Sequence, residues 1–296
     1  MSRSFRPGVV TTPASAEPAM RAAVLGSPIA HSLSPVLHRA AYADLGLERW
    51  RYDAIEVADL AGLREVLGGQ WAGLSLTMPL KRLVTPLLDQ VSDLARDVGA
   101  VNTVTFGPSG RVGDNTDVYG IVAALAEGGV TTLSSGAGCI LGGGATAAAA
   151  LAALSVLGDR APVVVARDPE RAAQALAAAA RLGSTPRLVL WPDASPWVRA
   201  ASVVVSTVPA SAGAAVVGLA PTVASGVLLD VGYDPWPTPA ALAWQGAGGT
   251  SVSGFAMLLH QAVAQVRLMT GRDPSVEVMR SAGLAALRLR WGSTGR

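Results

Sequence analysis

The sequence predicts an α/β protein of two units, each a mostly parallel sheet layered with helices. Three observations support this class. Short β-type runs alternate with helical patterns from residue 21 onward. The alternation falls into two series, divided by a Gly/Ser/Thr-rich stretch after residue 127. And 50% of the 296 residues are hydrophobic against 15% charged, which supplies ample core, excludes a mainly disordered chain and suits one large or two medium domains.

In the first series, residues 22–26 (AAVLG) read as a strand ending in Gly, and 34–47 carry apolar residues at helical spacing. Residues 52–57 alternate apolar and polar as a second strand, and 59–67 read as a helix. Residues 74–77 form a third strand stopped by Met78-Pro79, and 101–106 a fourth. Residues 117–127 are helical and polar enough to bridge the series, which places the main boundary at 117–130.

The second series opens with a buried strand at 139–141 that runs into Gly142-Gly143-Gly144 and a helix. Strands follow at 162–166, 187–190, 202–206 and 227–231, with a helix at 169–182. Residues 255–270 are a strong helix stopped by Gly271, and 275–289 a last helical segment after Pro274.

Composition removes several function classes. With 23 Lys+Arg against 21 Asp+Glu and no dense basic run, the chain lacks a nucleic-acid footprint. One cysteine, Cys139, cannot close an intramolecular disulfide, and three histidines show no metal-ligand spacing, so no metal is expected. The first twenty residues have no apolar h-region and read as a loose tail. The longest weakly polar stretch, 145–157, is too short to span a bilayer and reads as a packed helix, so a cytoplasmic protein without a membrane segment is expected.

Residues 142–147, Gly-Gly-Gly-Ala-Thr-Ala, fit G-x-G-x-x-G/A, in which glycines let the backbone approach a pyrophosphate at a helix N-terminus. In a Gly- and Ala-rich chain chance matches are common, but this one lies between a buried strand and a helix. The next strand ends in Ala166-Arg167-Asp168, where an Arg accepts a 2′-phosphate and an acid a ribose hydroxyl. Arg167 and Arg171, four apart around a helix start, read as a two-armed clamp favouring NADP(H). Asp168 keeps NAD(H) open, and solvated helix-start charges are the bland alternative.

Three further constellations stand out. Ser32 and Ser34 lead into a helix at Pro35 and can offer neutral donors to a carboxylate, while Ser34 reads equally as an N-cap. Lys81 lies just past a strand end and Asp117 at a helix start; ligands gather outside strand carboxyl ends, so the two are a candidate proton-transfer pair or ordinary surface charges. Residues 230–239 form a Pro-rich loop, either a site wall or the lead-in to a helix. Met257 and Gln261 share one helix face, turned to a cleft or to routine packing.

Together GSPIAHSLSP, SLTMPLK, GAVNTV, GDNTD, LGGGATAAA, STVP, DVGYDPWPTP and SGFAMLLHQ resemble, in order and spacing, the shikimate dehydrogenases over residues 21–271. VVVAR, STVPA and YDPWPTP resemble the actinobacterial branch. The resemblance implies an N-terminal α/β substrate domain and a Rossmann-like dinucleotide-binding domain with the cleft between them. After a tail at 1–20, the substrate domain would cover 21–117, completed by helices at 255–290, and the NADP domain 118–254.

The implied reaction is reversible, NADPH-dependent reduction of 3-dehydroshikimate to shikimate, on the route to chorismate and the aromatic amino acids. Ser32 and Ser34 would hold the substrate carboxylate, Thr77, Asn102, Tyr233 and Gln261 its hydroxyls and carbonyl region, with Lys81 and Asp117 as the catalytic pair. On the cofactor side the resemblance reaches Asp93, Gly142, Gly143, Gly144, Ala145, Thr146, Ala166, Arg167, Asp168, Arg171, Thr207, Val231 and Gly254, with Met257 a wall of the nicotinamide pocket.

Two departures are visible. Ser75 stands where the family pattern has Asn, which implies a shorter, water-mediated or missing substrate hydrogen bond. Ala166-Arg167-Asp168 replaces N-R-T/S, removing an amide and adding a negative charge near the expected 2′-phosphate. An NAD-dependent quinate/shikimate dehydrogenase and a non-catalytic nucleotide-binding sensor of the same fold are the alternatives; retention of Lys81, Asp117 and both serines argues against the sensor. Whether the chain is a monomer or a homodimer is left open.

Overall fold

Strands made wholly of buried residues, such as Gly138–Leu141 and Val203–Ser206, need both faces covered, and helices cover them. The structure, a computed structural model, describes residues 19–209, 213–224 and 226–293. Most of the expected tail therefore lies outside the described residues, while Met20 already belongs to the first strand.

The first series comprises β1 (Met20–Gly26), α1 (Ser34–Asp44), β2 (Trp50–Glu56), α2 (Leu60–Leu67), β3 (Gly73–Leu76), α3 (Leu80–Leu83), β4 (Gln90–Val91), α4 (Asp93–Val98), β5 (Thr103–Gly107), β6 (Gly110–Asp114) and α5 (Asp117–Glu127). The second comprises β7 (Gly138–Leu141), α6 (Ala145–Val156), β8 (Val163–Ala166), α7 (Pro169–Arg181), β9 (Arg187–Leu190), α8 (Ser195–Ala200), β10 (Val203–Ser206), α9 (Gly213–Val217), β11 (Val227–Asp230), α10 (Pro239–Gly246) and β12 (Thr250–Ser253). Two long helices follow, α11 (Gly254–Thr270) and α12 (Val276–Ser293).

The first sheet has the order β2-β1-β3-β5-β6-β4. Its β2-β1-β3 half is parallel, but β5 runs antiparallel to both β3 and β6. The hairpin partner β6 was not visible in the sequence because GRVGD offers one apolar side chain, too little for an alternation signal.

The second sheet is parallel throughout, in the order β12-β11-β10-β7-β8-β9. The chain starts at the central strand β7, winds outward through β8 and β9, then returns to β10 on the other side. The carboxyl ends of β7 and β10 are thus neighbours at the point where strand order reverses, where open α/β sheets bind their ligands.

Helix α6 explains its own composition. Residues Ala147 through Leu154 are all buried, so no polar face is needed, and the small side chains let α5 and α7 approach closely. Helix α11 joins the two units. Phe255, Leu259, Val263 and Val266 pack with Leu37, Tyr42 and Tyr52 of the first sheet's layer, while Ala256 and Met257 enter the core around Ile121, Leu151 and Val252. Helix α12 lies along α1. Among the described residues no helix is long and apolar enough to cross a membrane.

Candidate active site

A cavity of about 310 Å³ lies between the carboxyl edge of the first sheet, the loop after β1 and the first turns of α11. Ser32, Ser34, Thr77, Lys81, Asp117, Tyr233 and Gln261 line it, together with Thr146, Val231, Gly254 and Met257 from the side of the second sheet. Residues separated by more than 200 positions are brought together because β1, β3 and the amino ends of α5 and α11 converge there.

Lys81 stands on α3, one turn past β3, and its main-chain carbonyl accepts from Val101 N at 2.7 Å. Asp117 is the first residue of α5, its N–H taken by Asn115 Oδ1 at 3.0 Å. Lys81 Nζ donates to Asp117 Oδ2 at 2.5 Å, and the side chains are only 15% and 5% exposed. That burial separates the pair from solvated surface charges: desolvated charges persist only when paired and hydrogen-bonded.

Asn102 does not line the cavity; it sits behind the pair. Its Nδ2 donates to Asp117 Oδ1 at 2.8 Å and lies 3.3 Å from Gln261 Oε1, while its Oδ1 accepts from Thr116 N at 2.8 Å. Asp117 therefore has one oxygen held by a cation and the other by an amide, which orients the carboxylate.

At the start of α1, Leu33 occupies the N-cap position without a side-chain cap, and Ser34 is already helical. Ser32 Oγ instead accepts from Ser34 N at 3.2 Å. The capping reading of Ser34 is thus not what the structure shows: Ser34 is among the residues that line the cavity, at the positive end of α1. Burial pushes the Tyr233 phenol up, so it faces the cavity as a neutral donor.

The turn from β7 into α6 fits a dinucleotide. Gly142 has φ of +120°, and a Cβ there would run into Thr207 Oγ1. Gly144 caps α6 with no side-chain acceptor, so the first N–H groups of the helix have no capping side chain, the arrangement that suits an anion such as a pyrophosphate. Thr207 donates to Leu141 O at 2.9 Å and locks the crevice between β7 and β10. Gly254 is required for a different reason: a Cβ would collide with the Val231 carbonyl, so only glycine lets α11 start against β11.

Beside that turn, Ala166 ends β8 buried and Arg167 is exposed. Asp168 is the N-cap of α7, accepting from Arg171 N at 2.9 Å and pairing with Arg171 Nε at 3.1 Å. The expected two-armed clamp is accordingly altered. Both arginines are exposed, but Arg171 is engaged through Nε by Asp168 and borders a separate basic cleft with Arg82, Arg96 and Arg181. Asp93, expected near the cofactor, begins α4 with its side chain 93% exposed and pairs with Arg96 at 2.6 Å, away from the cavity. Gln265 also lines the cavity and was not singled out in the sequence; its signal is a polar residue one turn beyond Gln261 on the buried face of α11.

A doubly wound parallel sheet with a glycine turn at its switch point, facing a buried Lys–Asp pair on a second α/β layer, defines a dinucleotide-dependent oxidoreductase. Two family models match the chain, the shikimate dehydrogenase substrate binding domain over residues 24–104 and the shikimate 5′-dehydrogenase C-terminal domain over residues 254–282. The NADP(+) shikimate dehydrogenase of Thermosynechococcus vestitus is 34% identical over 89% of this chain and 94% of its own length. The pentafunctional AROM polypeptide of Yarrowia lipolytica is 34% identical over 88% of this chain, which spans 17% of that protein.

Among solved structures, Mycobacterium tuberculosis shikimate dehydrogenase has a TM-score of 0.80 at 42% identity, covering 90% of this chain and 99% of that one. Shikimate 5-dehydrogenase from Thermus thermophilus, solved in complex with NADP(H) and shikimate, has a TM-score of 0.75 at 33% identity, covering 90% and 99%. The chain belongs to the shikimate dehydrogenase family. The mycobacterial likeness agrees with the actinobacterial character of its motifs.

Proposed function

We propose that the chain catalyses the reversible reduction of 3-dehydroshikimate to shikimate with NADPH, a step toward chorismate and the aromatic amino acids. The observation that carries this reading is the Lys81–Asp117 pair, buried in a cavity shared with both serines and bordered by the dinucleotide turn.

In this reading Ser32 and Ser34, at the positive end of α1, bind the substrate carboxylate, and Thr77, Tyr233 and Gln261 bind the ring substituents. Asn102 contributes by holding Asp117 and Gln261 in place. Lys81 Nζ delivers the proton to the carbonyl oxygen in reduction and takes it back in oxidation. Asp117 orients the ammonium and balances its charge across the 2.5 Å contact.

NADPH supplies the hydride when bound. Gly142, Gly143 and Gly144 with the amino end of α6 would hold its pyrophosphate, Arg167 its 2′-phosphate, and Met257 with Val231 and Gly254 would wall the nicotinamide. Asp168 spends both oxygens on α7 and Arg171, which supports NADP over NAD despite its charge.

The substrate unit is proposed as residues 21–117 completed by 255–290, and the cofactor unit as 118–254. Support comes from α11 and α12 packing back onto the first layer. A cytoplasmic location belongs to the same proposal, and light scattering distinguishes monomer from homodimer. The deciding experiment is spectrophotometric oxidation of shikimate and of quinate with NADP+ and NAD+ separately. Fastest turnover of shikimate with NADP+ is expected. Preference for quinate with NAD+, or no turnover with either cofactor, would overturn the assignment.

A further inference from the structure

One backbone N–H sets the direction of a buried hydrogen-bond chain beneath the cavity. Thr116 N can only donate, and it donates to Asn102 Oδ1 at 2.8 Å. That orients the Asn102 amide. Thr103 Oγ1 donates to the same Oδ1 at 2.8 Å, so its own oxygen accepts from Gln265 Nε2 at 3.1 Å.

The Gln265 amide is thereby oriented as well. Its Nε2 also lies 3.3 Å from Asn102 O, and its Oε1 faces Ser75 Oγ at 2.7 Å. A carbonyl oxygen only accepts, so the Ser75 hydrogen is committed to Gln265, and Tyr52 Oη donates into Ser75 Oγ at 2.6 Å. His38 Nε2, 3.3 Å from Gln265 Oε1, completes that oxygen's partners; its ring is stacked on Tyr52 with centroids 3.9 Å apart. Nothing in this chain lets Ser75 turn its hydrogen to the cavity, which both Ser75 and Gln265 line.

We propose that Gln265 is a positioning residue for substrate specificity. By holding the Ser75 proton it leaves Ser75 a pure acceptor, so the cavity floor selects a ligand group that donates a hydrogen bond, a hydroxyl, over one that only accepts. This rests on shikimate being the substrate, whose ring hydroxyls are such donors.

The test is steady-state kinetics of the full chain on shikimate and on the two analogues in which one of the ring hydroxyls that is not oxidised is replaced by fluorine, an acceptor without a proton. The unsubstituted protein should prefer hydroxyl over fluorine at one ring position by about tenfold in KM, the worth of one hydrogen bond. Gln265→Met, which releases the Ser75 proton, should lower that preference to within about twofold while leaving the KM for NADP+ unchanged. Ser75→Ala should do the same, and the double variant should show no further loss.

Survival of the preference in Gln265→Met, or a lower melting temperature without any change in the hydroxyl-to-fluorine ratio, would overturn the proposal. If Gln265→Met fails to fold, an unchanged ratio in Ser75→Ala overturns it alone. Failure of the unsubstituted protein to oxidise shikimate refutes the substrate reading, whereas normal oxidation with unaltered selectivity in the variants refutes only the role of Gln265.

Discussion

Lys81 Nζ and Asp117 Oδ2 meet at 2.5 Å although the residues are 36 positions apart, Lys81 on α3 one turn past β3 and Asp117 at the start of α5. The pair is held from behind. Asn102 holds the second carboxylate oxygen, and Thr116 N–H fixes the Asn102 amide. A proton donor in this setting has one reachable geometry, which is what a positioned acid requires.

Lys81→Ala should lower turnover by roughly 10²–10⁴-fold, the usual worth of a general acid–base group. KM for NADP+ should change little, because Lys81 lies on the first-sheet side of the cavity. Continuous absorbance assays in both directions check this, and near-parental turnover would remove Lys81 from the chemistry.

Arg167→Ala should weaken NADP+ by roughly tenfold to a hundredfold, the range expected for one lost charge-assisted contact. NAD+, which has no 2′-phosphate, should be affected much less. Fluorescence titration with each dinucleotide measures the difference; equal losses would show that Arg167 does not read the phosphate.

Stability should fall on mild acidification because of His38. Burial drives its imidazole down to about 3, whereas in the unfolded chain it titrates near the ordinary value of about 6.5. Between those values the unfolded state binds the proton and the native state does not, so stability is fully present above pH ~6.5 and is lost progressively as pH drops toward 3. Thermal melts at pH 7 and pH 5 should show a smaller difference for His38→Gln than for the parent. Identical differences would assign the acid sensitivity elsewhere.

Gly254→Ala forces a methyl group against the Val231 carbonyl, and backbone cannot give way as a side chain can. A loss of roughly 1–3 kcal/mol is expected from overpacking of this kind. Because α11 carries Met257 and Gln261, KM for shikimate should rise in the folded fraction. A parental melting temperature and KM together would show that the contact tolerates the extra carbon.

Much of the second unit was legible in the chain because its signals are local. The strand–glycine–helix run read at 139–157 lies at 138–156, the strand ends at Ala166 and Ser206 fall where the short apolar runs put them, and the strand read to Val231 ends at Asp230. The short elements were not legible. Strand β12, TSVS, has one apolar residue and is a strand only because β11 lies beside it, and α3, α4 and α8 are too short for a periodic pattern. At the site, Ser32, Ser34, Lys81 and Asp117 were legible as motif residues. Gln265 was hidden because a polar residue on a helix that also carries His260, Gln261 and Arg267 does not stand out until its buried neighbours are known.

The sequence by itself determined the alternation of strands and helices, the glycine turn, the absence of thiol and metal-ligand patterns, and the residue types available for proton transfer. Only the tertiary structure decided which charges are buried together, that Asp168 is spent on capping α7 and that Asp93 stays in solvent. It also set the direction in which the hydrogen bonds beneath the cavity run. The reason is physical. Helix and strand signals lie within a few consecutive residues, whereas burial, charge pairing and hydrogen-bond direction depend on atoms that folding brings together from distant positions.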